Sequence, residues 1–162
     1  FDTIISFQVI EHINDDELFI SEIKRILRPG GIALITTPNI KMTLTRNPWH
    51  IREYTSKQLR DLCKKYFSSV EVNGISGNEK VIKYYNQNLD SVQRFKKLDV
   101  FNLEKRLPNF IYKIPYEILN RMNRNNLKKN DDKLVSSITY KDYELVKDSP
   151  TNLDLFLVLR KN

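Results

Sequence analysis

Apolar and polar positions alternate along this 162-residue chain in blocks with two different periods. Residues 3–9 form a nearly unbroken apolar run, which predicts a strand buried on both faces of a parallel sheet. Asn14 and Glu17 stand at the spacing of a capping box, predicting a helix of about four turns. Its apolar positions Phe19, Ile20, Ile23, Ile26 and Leu27 recur at helical intervals. Pro29-Gly30-Gly31 stops that helix, because glycine enters the left-handed conformation at little cost. Residues 32–36 are the next predicted buried strand.

A polar, proline-punctuated loop follows over residues 38–53. Thr55 and Gln58 make a second capping box, opening a helix with Leu59, Leu62, Cys63, Tyr66 and Phe67 on one face. Residues 69–75 alternate around Val70, Val72 and Ile75 and predict a third strand. Residues 154–160 predict the last one. Between these two strands lies an excursion, weakly helical over 80–98 and more strongly so over 109–122. There Phe110, Ile114, Ile118 and Met122 recur every four residues, with Ile111 and Leu119 beside them. Pro115 fits best in a first helical turn, so this helix is expected to start there. Residues 123–132 read as a polar linker. The pattern divides a single α/β domain into a βαβαβ core (1–76), a helical insertion or lid (77–152) and a final strand (153–162).

Composition narrows the class. With 40% hydrophobic and 29% charged residues the chain suits a soluble globular protein, and no apolar run approaches membrane-helix length. A single cysteine, Cys63, excludes an internal disulfide and favours a reducing, cytoplasmic setting. The chain opens on Phe1, directly on a strand, and is expected to be part of a longer domain.

The net charge is +7, and the stretch from Glu79 to Lys133 holds thirteen Lys/Arg against seven Asp/Glu. Such a stretch can favour an anionic partner, or it can simply solvate a helical surface. The stripe around Tyr112 and Tyr116, flanked by Lys113, Arg121 and Arg124, fits a membrane surface or a face covering the protein's own core. Core or lid is the expectation adopted.

Candidate chemistry follows the first two strands. Glu11 and His12 come just after the first, and His50 and Glu53 lie in the loop after the second; these are the chain's two histidines. Loops on a rigid sheet are where reactive groups collect. A histidine can take a proton at neutral pH, and two imidazoles with a carboxylate could instead hold a divalent ion. Trp49, a lone tryptophan, is expected to pack in the core.

Asp2-Thr3-Ile4-Ile5-Ser6, Gln8-Val9-Ile10-Glu11-His12-Ile13 and Leu27-Arg28-Pro29-Gly30-Gly31 together resemble the second half of class I S-adenosylmethionine-dependent methyltransferase domains, of the type 11/23 kind. The resemblance implies a Rossmann-like sheet of which this chain holds strands four to seven. The last strand would run antiparallel between the fifth and sixth. It also implies that the loops carrying Glu11, His12, His50 and Glu53 face one pocket as catalytic candidates.

Ser6, Phe7 and Gln8 would form the lip of the S-adenosylmethionine site. None of the four glycines forms the glycine-rich cofactor turn, which would lie upstream, so this stretch alone is expected to bind cofactor weakly or not at all. The implied reaction is O-methylation of a sugar, glycan or small-metabolite hydroxyl. A metal-dependent RNA 2′-O-methyltransferase and a non-catalytic binding module are the alternatives. The chain is also similar to two metal-using groups with a Glu-x-x-Glu-His turn, the small-RNA 2′-O-methyltransferases and the ubiquinone-pathway O-methyltransferases. Gln8 stands at their first glutamate, so no metal ligand is assigned.

Overall fold

The computed structural model describes residues 1–98 and 107–162. Five strands, β1 (Thr3–Phe7), β2 (Ile32–Pro38), β3 (Ser69–Gly77), β4 (Tyr143–Lys147) and β5 (Asp154–Arg160), form one sheet in the order β1-β2-β5-β3-β4. The helices are α1 (Asp16–Ile26), α2 (Ser56–Lys64), α3 (Glu79–Leu98), α4 (Asn109–Asn130) and α5 (Asp132–Ser137). β1 and β2 are parallel, paired from Thr3↔Ile32 to Phe7↔Thr36. β5 runs antiparallel to both β2 and β3, which seat it between them as expected. β4 was not anticipated. It falls inside the segment read as a helical insertion, and its short sequence Tyr-Glu-Leu-Val-Lys carries too little pattern to stand out.

Two compact units are distinguishable: residues 1–43, 50–76 and 145–162, and residues 44–49 with 77–144. In the first unit, alternation puts Ala33 and Ile35 of β2 and Leu155, Leu157 and Leu159 of β5 on one face of the sheet. Register aligns Ala33 with Leu159 and Ile35 with Leu157. Ile20 and Ile23 from α1 and Leu59, Leu62 and Cys63 from α2 close that core. β1 departs from the expectation of burial on both faces. It is the outer strand in the described sheet, and its Thr3, Ile5 and Phe7 are exposed.

Local signals account for the helix boundaries, with some corrections. Asp15, not Asn14, caps α1 by accepting a hydrogen bond from Leu18 N, so the helix begins at Asp16 and spans 11 residues. The capping box of Thr55 and Gln58 forms as expected, both reciprocal bonds being present. Gly30 adopts φ +78°, the left-handed turn that admits the chain to β2. Gly74 on β3 is required for another reason: a Cβ there would collide with the side chain of Asn152.

The second unit holds α3, α4 and α5. α4 starts six residues before Pro115, which therefore sits inside the helix and supplies no amide proton to the Ile111 carbonyl. It also continues through the segment read as a polar linker, as far as Asn130. α3 and α4 are joined by Asn123, which bonds Ser91 (2.5 Å) and Asn88 (2.6 Å). Further along, Gln87 bonds Asp131, so the two helices run antiparallel. Tyr112 is buried, whereas Ile111, Ile114, Ile118, Leu119 and Met122 are exposed, against the expectation that the stripe packs on the protein's own core. The side chain of Phe110 lies outside the described residues, as do residues 99–106 of the basic stretch. Trp49 is 48% exposed rather than packed in a core, and the Lys113 ammonium stands 3.7 Å from its ring centroid.

The ends of the insertion are fastened together. Asn78 donates from its backbone to the Asp142 carbonyl (2.9 Å) and from its side chain to the Asp142 carboxylate (2.7 Å). Among the described residues, no helix is long and apolar enough to cross a membrane.

Candidate functional site

The site lies at the carboxyl ends of β1 and β2, the usual ligand edge of an open α/β sheet. β1 ends in a strained step. Gln8 adopts φ +55°, the one positive φ outside glycine among the described residues, while its amide donates to Thr36 O at 3.0 Å. Strain of this kind persists only where the surroundings over-determine it, and it gathers at functional sites. The chain then makes a 3-10 turn over Ile10–His12. That turn buries Glu11, which is 1% exposed.

Glu11 connects the two loops. Its backbone carbonyl accepts from Ile51 N (2.7 Å) and Arg52 N (3.3 Å), drawing the loop after β2 onto the turn after β1. Its carboxylate accepts from Thr37 Oγ1 at 2.9 Å, and its other oxygen lies 3.9 Å from His12 Nε2. As a result the rings of His12 and His50 meet edge to face, with centroids 4.9 Å apart.

His50 is held from behind. Its Nδ1 lies 2.6 Å from Glu53 Oε1, and the second Glu53 oxygen accepts from the Thr43 hydroxyl. A carboxylate on Nδ1 fixes the tautomer and orientation of an imidazole. Asp16 steadies the rest of the loop. It accepts from Arg52 Nη1 (2.5 Å) and from the Tyr54 hydroxyl (2.7 Å), and burial with this carboxylate pushes the Tyr54 phenol well above its ordinary range.

All four catalytic candidates thus belong to one cluster: Glu11, His12 and His50 each offer a ligand atom within 4.8 Å of the others, with Glu53 behind His50. Donors on a common ion at about 2.1 Å can be no more than about 4.2 Å apart, so chelation would need a contraction of roughly half an ångström. Gln8 is engaged elsewhere, its side chain hydrogen-bonding Asp154.

Sequence reading missed Asp154. Burial raises its carboxyl above the usual range, the Gln8 bond opposes this, and the charge of Glu11 adds to it. It opens β5 opposite Pro38, at the same edge of the sheet. An acid leading an otherwise apolar strand was the available signal. Thr37 and Thr43 were also missed, since isolated threonines carry no motif.

Of the cofactor candidates, Phe7 is exposed at the strand end, and Ser6 presents a buried hydroxyl that has no hydrogen-bond partner among the described residues. A partnerless buried hydroxyl and a strained backbone beside it fit one wall of a polar ligand's site.

Residues 1–35 match a family model described as a methyltransferase domain. A probable S-adenosylmethionine-dependent methyltransferase of Mycolicibacterium smegmatis is 41% identical over 76 residues, which are 43% of this chain and 29% of that protein. A ubiquinone biosynthesis O-methyltransferase of Mesorhizobium japonicum is 41% identical over 39 residues, 24% of this chain and 16% of that protein. Among solved structures, the Haemonchus contortus phosphoethanolamine N-methyltransferase 2 in complex with S-adenosyl-L-methionine is 20% identical, with a TM-score of 0.47. That alignment covers 100% of this chain and 34% of the other. The chain spans less than a third of the length of these curated relatives.

Proposed function

We propose that this chain belongs to the class I S-adenosylmethionine-dependent methyltransferases and that the protein methylates a hydroxyl oxygen of a sugar, glycan or other small metabolite. The likeness of residues 1–35 to a methyltransferase domain and of 76 residues to a probable S-adenosylmethionine-dependent methyltransferase supports this reading. The observation carrying this reading is the His50–Glu53–Thr43 chain of hydrogen bonds, set against His12 and Glu11 at the ligand edge of the sheet.

When bound, S-adenosylmethionine supplies an electrophilic methyl carbon on a sulfonium. Ser6, Phe7 and Gln8 are the residues of this chain that would line it. The rest falls to the loops. His50 Nε2 would take the proton of an acceptor hydroxyl held against that methyl carbon. Glu53 stabilises the imidazolium that results, and Thr43 holds Glu53. Glu11, buried beside His12, keeps the edge of the pocket anionic and favours the proton's departure. Relatives named as ubiquinone biosynthesis O-methyltransferases support an oxygen acceptor.

The test is His50→Ala in the full-length protein, read as turnover and cofactor affinity separately. The expected result is a fall in kcat of at least about a hundredfold with cofactor binding unchanged. Equal loss of both, or of neither, would remove His50 from the chemistry. Cofactor binding without turnover on any hydroxyl acceptor would favour a binding module.

A second reading is favoured by the convergence of Glu11, His12 and His50. Together they offer one carboxylate and two imidazoles to a divalent ion, with Thr37 and Glu53 as outer partners. Such an ion would polarise the acceptor hydroxyl. Chelator sensitivity separates the two readings.

A further inference from the structure

Five large apolar side chains of α4 are exposed within twelve residues: Ile111, Ile114, Ile118, Leu119 and Met122, each between 41% and 69%. Single exposed apolar residues are ordinary; a contiguous patch is not. At about 100° per residue these five cover an arc of roughly 140° on one side of the helix. The helix does not need that arc for its own packing. A different side carries the buried Tyr112, Asn123 and Leu127, with Asn123 bonded to Ser91 and Asn88 of α3.

Charge borders the stripe. α4 contains five Lys/Arg and a single acid, Glu117. Arg121 and Arg124 are exposed along one margin, and Lys129 is exposed beyond its end. α3 runs antiparallel to α4 and carries exposed Arg94, Lys96 and Lys97 toward its carboxyl end, at the level of the middle of the stripe.

We infer that this face of α4 lies on an anionic lipid surface, its aliphatic stripe entering the headgroup boundary and its cations meeting lipid phosphates. An apolar face bordered by Lys and Arg, on a helix unable to span a bilayer, is the form of an interfacial helix. A nucleic acid would use the cations but gain little from isoleucine, which cannot stack on bases. This goes beyond the methyl-transfer reading and does not depend on it.

The experiment is flotation of the full-length protein with vesicles of phosphatidylcholine alone and of phosphatidylcholine mixed with phosphatidylglycerol. Binding is expected on the mixed vesicles and at least about tenfold weaker on the neutral ones, falling as salt rises. Ile118→Asp and the double variant Arg121→Glu/Arg124→Glu should each weaken binding at least about tenfold. All three side chains are exposed, so circular dichroism should show both variants folded.

Failure of the folded protein to bind mixed vesicles, or binding that both variants leave intact, would overturn the inference. So would a dimer in solution that Ile118→Asp dissociates while no vesicle binding is seen, since the stripe would then belong to a second copy.

Discussion

Glu53 holds His50 through Nδ1 at 2.6 Å while its second oxygen receives the hydroxyl of Thr43. One carboxylate thereby orients the imidazole and is itself kept from rotating. Glu53→Gln preserves shape but removes the charge that stabilises a protonated ring. In the full-length protein it is expected to lower kcat about ten- to a hundredfold, with cofactor affinity unchanged. Steady-state kinetics beside a direct cofactor titration checks this. A parallel loss of cofactor binding would make Glu53 a brace of the loop alone.

Metal dependence can be decided on the same enzyme. The donors of Glu11, His12 and His50 are spread over as much as 4.8 Å, and Gln8 is turned to Asp154. On the proposed reading of His50 as the base, dialysis against EDTA is expected to leave the rate within about twofold. A loss of more than about tenfold, restored by Mn²⁺ or Mg²⁺, would assign the reaction to the metal reading.

Acid should loosen the base of the insertion. Asp142 is held down to about 2 by the backbone amide of Thr139, then by the Asn78 side chain, with the Thr139 hydroxyl and Lys80 adding to this. Its carboxylate ionises at lower pH in the fold than in the unfolded chain. The stability it contributes is therefore present above the unfolded carboxylate range, near pH 3.9, and is lost as pH falls through about 2. Asp142→Asn is expected to lower Tm near neutral pH, the gap closing as pH approaches about 2. Thermal unfolding of both proteins across that range checks it.

Cys63 should be silent in the fold. It is fully buried in the core, and desolvation, with the charge of Asp16 behind it, pushes its thiol up to about 12. The thiolate is the reactive form, so a disulfide-exchange reagent should leave the native protein untouched and titrate one thiol per chain in guanidinium. Rapid reaction under native conditions would mean that α2 opens readily.

The parts of the fold legible in sequence were those where one local rule dominates. The reciprocal bonds of Thr55 and Gln58 and the glycine turn at Gly30 depend on neighbours a few residues away. β5 is written in its unbroken apolar run from Leu155 to Leu159, although which face it buries most deeply is decided by the sheet. Asp15 displaced Asn14 as a cap, bonding the Leu18 amide, because adjacent polar residues offer two starts one residue apart and only geometry decides.

The site was legible as residue types but not as an arrangement. Glu11 and His50 lie 39 positions apart, and the backbone bonds from Ile51 and Arg52 to the Glu11 carbonyl that join their loops leave no mark on side-chain identity. Asp154 stayed hidden for the same reason, since an acid at a strand start reads as a turn until the sheet places it beside Gln8.

The bonds between Asn78 and Asp142, 64 residues apart, have a consequence for how this protein can diversify. The chain enters and leaves the segment 79–141 through one clasp, so the helices it encloses form a cassette. Lengthening a closed loop costs only about 0.6 kcal/mol per doubling. Helices between the two residues can be extended or shed while β1, β2, β3 and β5 keep their register.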